Sequence, residues 1–292
     1  MLAVIVAVAP VAALIIYFYH KDKYDKEPLS LLIKAFFGGF FVTFLVLIVQ
    51  LILTFALAQT KGVILRIFLF SFVIAAIIEE GFKFLVFRLL IYKNKEFNEP
   101  YDGILYAVMI SLGFATLENL CYVILFYFKL GLVGMFSVGL QRAILAVPMH
   151  ALAGVLMGYY FGMAKFTPLE KVHPVRNLFL MGQASEVGGE NKEADGGIEL
   201  PSAYTARPVR KEFSNGVKEC SSLTGFTKDK ALEKKYIYIG LGLAILAHGF
   251  YNFFVLFNII FSFLCLLILG AFCIIFAIKA IKIHTENSPF KE

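Results

Sequence analysis

Apolar residues come in long runs separated by short polar gaps, and the length of the runs is the first clue. A helix rises 1.5 Å per residue, so roughly 20 apolar residues cross a hydrocarbon core of about 30 Å. The pattern predicts about seven such spans, near residues 2–19, 31–58, 63–92, 101–128, 133–164, 236–257 and 260–283. The expected fold is all-α, a polytopic transmembrane helix bundle. Only a short turn near Asn258 can part the last two spans, and no Gly or Pro marks it, so six spans with one long or re-entrant helix stay open.

Composition supports the membrane reading. Hydrophobic residues make up 60% of the 292, charged residues 16%, and mean hydropathy is +0.79. A water-soluble domain cannot cover that much apolar surface with so few charges. Trp is absent, so Tyr must supply any interfacial aromatic belt. The net charge of +6 does not point to nucleic acid, because the basic residues lie in the gaps between apolar runs and form no basic helix. Cys121, Cys265 and Cys273 sit in apolar runs and Cys220 is alone in a polar loop, with no paired spacing for a disulfide framework or a zinc knuckle.

Charge placement sets an expected orientation. The first run has no basic residues before it, while Lys21, Lys23 and Lys26 follow it, which fits an N-out anchor better than a cleaved signal peptide. With the N-terminus outside, 22 Lys and Arg fall on the cytoplasmic side and only Lys61, Arg66, Lys129 and Arg142 outside. Without the long 165–235 loop the count is still 10 against 4. The domain plan is therefore residues 1–164 carrying spans one to five, a cytoplasmic loop over 165–235, and residues 236–292 carrying spans six and seven with a short inner tail. The centre of the loop, QASEVGGENKEADGGIEL, is polar and Gly-rich, and is expected to be largely disordered.

An ionisable group in a hydrocarbon span costs several kcal/mol unless it is paired or lines a wet cavity. Span three holds Glu79 and Glu80, with Lys83 four residues after Glu79. That spacing puts Glu79 and Lys83 on one face and leaves Glu80 about 100° away without a cation of its own. One carboxylate of such a pair suits a general base, while a Glu–Lys bridge that fixes helix packing is the plainer alternative. Span four holds Glu118 and Asn119; span five holds His150, followed by Gly154, Gly158 and Gly162 at a spacing that permits close helix approach. In span six His248 and Asn252 share a face at i and i+4, as a pair of donors for an oxyanion hole would, or as a structural hydrogen-bonded pair. Counted from the cytoplasmic ends of their spans, these groups all fall at a depth of roughly 18–25 Å.

The residues EExxK (Glu79, Glu80, Lys83), FxxxE (Phe114, Glu118) and the later histidines resemble the PrsW family of intramembrane peptidases. So do the stretches YHKDKYDKEP, EPYDGILYAVMISLGFATLEN and VPMHALAGVLMGYYFG. The resemblance spans all seven runs apart from the 165–235 insertion. It implies kinship with the CAAX prenyl endopeptidases, a glutamate-type group. On that pattern Glu79 activates water with Glu80 in support, His248 and Asn252 form the oxyanion hole, and Lys83 and Asn119 assist. Glu118 stands where the CAAX enzymes place a histidine, which leaves its role open, and His150 is an additional residue of the PrsW type. The resemblance also implies a plasma-membrane enzyme cutting a membrane-bound substrate such as an anti-sigma factor.

Hydrolysis in this form requires no cofactor. A metal-dependent version stays open, with zinc held by Glu118, His150 and His248. Buried carboxylates and histidines also suit a proton-coupled transporter, although no inverted repeat is evident. A non-catalytic membrane scaffold that keeps the same fold is a third reading.

Overall fold

The computed structural model describes residues 1–166, 230–257 and 260–290. Among them all regular structure is helical: α1 (Leu2–Lys21), α2 (Leu29–Leu57), α3 (Val63–Phe68), α4 (Ile78–Leu90), α5 (Pro100–Gln141), α6 (Val147–Phe166), α7 (Lys230–Phe257) and α8 (Ile260–Glu286). Two π-helical stretches, Leu69–Ile77 and Arg142–Ala146, join α3 to α4 and α5 to α6. Five helical runs are long and apolar enough to cross a membrane: Leu2–Lys21, Leu29–Leu57, Pro100–Phe166, Lys230–Phe257 and Leu264–Glu286. Their outward faces carry bare Phe, Leu and Ile side chains, as a helix solvated by lipid would. The chain is a polytopic helical bundle.

The run expected over 63–92 is built from α3, a π-helical stretch and α4. The runs expected over 101–128 and 133–164 form one continuous helical path, Pro100–Phe166, which turns back on itself inside α5. Gly131 makes that turn with φ 63° and ψ −149°, a backbone open to glycine and strained for other residues. Beyond it Met135 and Val138 pack with Val123 and with Ala7 of α1, so the second half of α5 lies back along the first. Most of the 165–235 loop, and the turn near Asn258, lie outside the described residues; α6 continues to Phe166 and α7 starts at Lys230.

Glycines set the closest crossings. A Cβ on Gly158 would sit 2.2 Å from the Gly103 carbonyl oxygen, and one on Gly154 3.0 Å from that of Ala107, so α6 runs antiparallel against the first half of α5 with backbones touching. Gly39 of α2 and Gly113 of α5 are tighter still, each with a backbone oxygen 1.9 Å from where a Cβ would stand. These two crossings hold α5 in the middle of the bundle, and nearly every side chain from Pro100 to Leu117 is buried.

One end of the bundle is closed by acidic side chains. Asp102 caps α5 by accepting from the backbone N–H groups of Asn98 and Glu99, both at 2.8 Å, with Pro100 in the first turn where its missing N–H costs nothing. Tyr101 donates to the Phe18 carbonyl at 2.8 Å, Tyr106 donates to Glu27, and Ser288, beyond α8, donates to Glu99. Burial, reinforced by the neighbouring Asp22 and Glu96, pushes the Glu27 carboxyl up to about 8, against the Tyr106 hydroxyl that favours the anion. Burial, with Asp22 and Asp25 nearby, pushes Glu99 up to about 7.

A carboxyl raised on folding favours the folded state while it is protonated and loses that contribution as pH rises through its folded value. The contribution of these two carboxyls to thermal stability in detergent is therefore expected to be complete below about pH 4.5 and to be lost as pH rises from there to about 8. Circular dichroism melts check this. Glu27→Gln, which copies the protonated group, should flatten the fall, and an unchanged slope would contradict the assignment.

Candidate active site

The π-helical stretch Leu69–Ile77 runs directly into the turn of α4 that carries Glu79 and Glu80, and the one at Arg142–Ala146 runs directly into the turn of α6 that carries His150. Both stretches therefore end within one turn of a candidate site residue, a placement in which π-helical insertions are often found. With α5 and α7 they bring Glu79, Glu80, Lys83, Glu118, His150 and His248 into one cluster. Glu80 is 0% exposed and Lys83 1%.

Lys83 chooses its partner differently from the spacing argument. Its Nζ is 2.7 Å from Glu80 Oε1 and 4.0 Å from Glu79 Oε2. The i,i+3 geometry serves as well as i,i+4, and the ammonium is drawn across by a second acceptor, His150 Nδ1 at 3.0 Å. Glu80 is thus the paired carboxylate, and Glu79 keeps a free oxygen. Glu79 Oε1 accepts from the Gln50 amide of α2 at 2.9 Å, while its Oε2 is buried with no hydrogen-bond partner among the described residues.

The two histidines are held in the same way. His248 Nδ1 lies 2.7 Å from Glu80 Oε1. A carboxylate only accepts, so the neutral ring carries its proton on Nδ1 and leaves the Nε2 lone pair 3.7 Å from Glu79 Oε2. His150 Nε2 lies 2.8 Å from Glu118 Oε2, so its proton is on Nε2, and the Nδ1 lone pair accepts from Lys83. Each ring has one nitrogen fixed by a carboxylate and the other left as a lone pair, the arrangement that metal-ligating histidines adopt. The rings stand 5.1 Å apart at 84°. Phe114 of the FxxxE segment packs against both Lys83 (4.3 Å from its ring centroid) and His150 (5.7 Å between centroids).

One ligand atom from each of Glu79, His150 and His248 can be chosen so that all three lie within 4.8 Å of one another. Two imidazole nitrogens and a carboxylate oxygen suit zinc and its borderline neighbours, and the orphaned Glu79 Oε2 is the kind of buried acceptor that a cation would satisfy. The residues present therefore fit a divalent metal. The carboxylate of the set is Glu79 and not Glu118, which differs from the expected Glu118, His150 and His248. Glu118 is otherwise engaged: its Oε2 accepts from Arg142 Nη2 as well as from His150, each at 2.8 Å.

The structure brings Glu79, Glu80, Lys83, Glu118, His150 and His248 together; Asn252 is half-buried and has no hydrogen bond among the described residues. Asn119 is drawn to Arg142 and to the Ala7 carbonyl (3.2 Å) and does not reach the histidines. Spacing did not single out Gln50 or Arg142. Gln50 had a readable signal, since it is the lone amide in the second apolar run.

A model of the PrsW family intramembrane metalloproteases matches residues 27–184. The matched stretch holds Glu79, Glu80, Lys83, Glu118 and His150 and stops before α7, so His248 joins them by geometry. Among curated proteins, Protease PrsW of Geobacillus kaustophilus is 38% identical over 174 residues, 60% of this chain and 72% of that one. Protease PrsW of Bacillus subtilis is 39% identical over 168 residues, 57% and 71% of the two chains. That of Clostridioides difficile is 34% identical over 163 residues, 56% and 66%. No solved structure matches the chain.

Proposed function

The chain belongs to the PrsW family of intramembrane metalloproteases, and on that premise we propose that Glu79, His150 and His248 hold a divalent metal at which a peptide bond of a membrane protein is hydrolysed. The observation that carries this reading is the shared geometry of the histidines: Glu80 and Glu118 each take one ring N–H, so the opposite nitrogen keeps its lone pair, that of His248 beside Glu79 and that of His150 against Lys83, which an ion bound there would displace. When bound, the ion would supply Lewis acidity and a water acidic enough to attack at neutral pH.

The chain's own groups have separable tasks in this reading. Gln50 fixes Glu79 through Oε1, so Oε2 stays on the side of the His248 lone pair, where it would hold the ion; were the reaction metal-free, the same oxygen would take up the proton lost by the attacking water. Lys83, 2.7 Å from Glu80 and 4.0 Å from Glu79, offsets their negative charge and is the nearest cation for an oxyanion formed beside them. Lys83 replaces His248 and Asn252 in that role, because the His248 proton is committed to Glu80. Apolar walls from Phe114 and the neighbouring helices bury the cluster, and the low dielectric there strengthens each of these interactions.

The substrate proposed is a single-span membrane protein of the anti-sigma-factor type, on the strength of the family resemblance. The plasma membrane is proposed on the family resemblance, and the N-out, C-in orientation on the distribution of Lys and Arg. To test the reading, purified protein in liposomes is incubated with single-span candidate substrates and the products are sequenced by mass spectrometry. One defined cut within or beside the substrate's apolar span is expected. Cuts confined to soluble segments remote from the membrane would argue against it.

A further inference from the structure

Arg142 stands outside the set of residues just assigned, yet the placement of His150 runs through it. It opens the π-helical turn Arg142–Ala146, which leads into α6. Its side chain is 11% exposed, far from the loop setting its charge suggests. The guanidinium donates through Nη2 to Glu118 Oε2 at 2.8 Å and through Nε to Asn119, and it lies over the Tyr122 ring at 4.2 Å. Two donors in a fixed plane, plus a ring beneath, leave the group little freedom.

The oxygen that Arg142 holds is the one that accepts from His150 Nε2. A neutral imidazole has a single N–H, so an acceptor pinned at Nε2 forces the lone pair onto Nδ1, the nitrogen now facing Lys83. Without Arg142, Glu118 would keep one short hydrogen bond and could rotate away about its own side chain, and the ring could then present either nitrogen. We propose that Arg142 is a positioning residue: by fixing Glu118 it sets the His150 tautomer that presents Nδ1 to the metal site. This rests on the reading that His150 holds the ion. A residue that only packed helices together would stabilise the fold without touching metal affinity.

The test is a double-mutant cycle on zinc affinity, measured with Zn²⁺ alone against a competing chelator on full-length protein in detergent. Thermal midpoints by circular dichroism are recorded alongside. Arg142→Met and Glu118→Leu should each weaken zinc binding by about 10–100-fold, the usual effect of losing a group that orients a ligand. The double variant should be no weaker than Glu118→Leu alone, because both changes remove the same link. Arg142→Lys keeps the charge without the planar fork and should fall between wild type and Arg142→Met. If Arg142→Met does not fold, the same cycle is run with Arg142→Lys.

Wild-type zinc affinity in Arg142→Met, or losses that add in the double variant, would overturn the relay and leave the metal site standing. Wild-type protein that takes up no zinc would overturn the metal reading itself, and the relay with it.

Discussion

Glu79→Gln is expected to reduce cleavage by about 10²–10⁴-fold while the protein still folds, because the neutral amide holds a divalent ion poorly and takes up no proton. The substitution keeps the shape of the side chain, and its amide oxygen can still accept from Gln50. What disappears is the basic oxygen, Oε2, which among the described residues has no hydrogen-bond partner to lose. Stability should accordingly change little. The same replacement at Glu80 leaves an amide oxygen that can still accept but removes the negative charge shared by Lys83 and His248, both at 2.7 Å, and should disturb folding more than it disturbs proton transfer. Product yields by mass spectrometry, set beside thermal melts, separate the two cases. Cleavage by Glu79→Gln at the wild-type rate would remove Glu79 from the chemistry.

Much of the site could be read in the sequence because lipid makes ionisable residues expensive. Glu79, Glu80, Glu118, His150 and His248 interrupt apolar runs, and the cost of leaving them unpaired predicts that they meet. The structure places them together. Partner choice was not legible. Helical spacing assigns Lys83 to Glu79, but the ammonium is pulled toward Glu80 by His150, a contact across 67 positions that no local rule contains. Nor does spacing show that Glu80 orients His248, a contact across 168 positions, while Asn252 on the same face has no hydrogen bond among the described residues. Arg142 was misplaced because a charge near the end of a run reads as a loop residue. Its burial depends on Gly131 turning α5 back, so that Arg142 reaches Glu118. The glycine ladder of α6 was readable as a packing surface, whereas Gly39 and Gly113, which set the tighter crossing, lie in runs without that repeat.

Stripping the metal should abolish cleavage and leave a folded protein. The cluster holds three carboxylates (Glu79, Glu80 and Glu118) against Lys83 and Arg142, so its formal charges nearly cancel without an ion. Lys83 already bridges Glu80 and the His150 lone pair, which keeps the walls from repelling each other apart. Loss of the ion should therefore lower the stability of the fold only by the linkage term, about 2.7 kcal/mol for an ion held at 100 times its Kd. Activity behaves otherwise, because Lewis acidity and the acidified water both leave with the metal. Protein dialysed against a strong chelator should show cleavage down by about 10³-fold or more, restored by added zinc in proportion to the metal bound, if one ion supplies several kcal/mol of transition-state stabilisation. Atomic absorption on the same samples provides the metal count. Full activity in protein shown to be metal-free would return the chemistry to Glu79 alone. The paired carboxylate–histidine contacts would then be a device for placing charge, and His248 and Asn252 would again be candidates for holding the oxyanion.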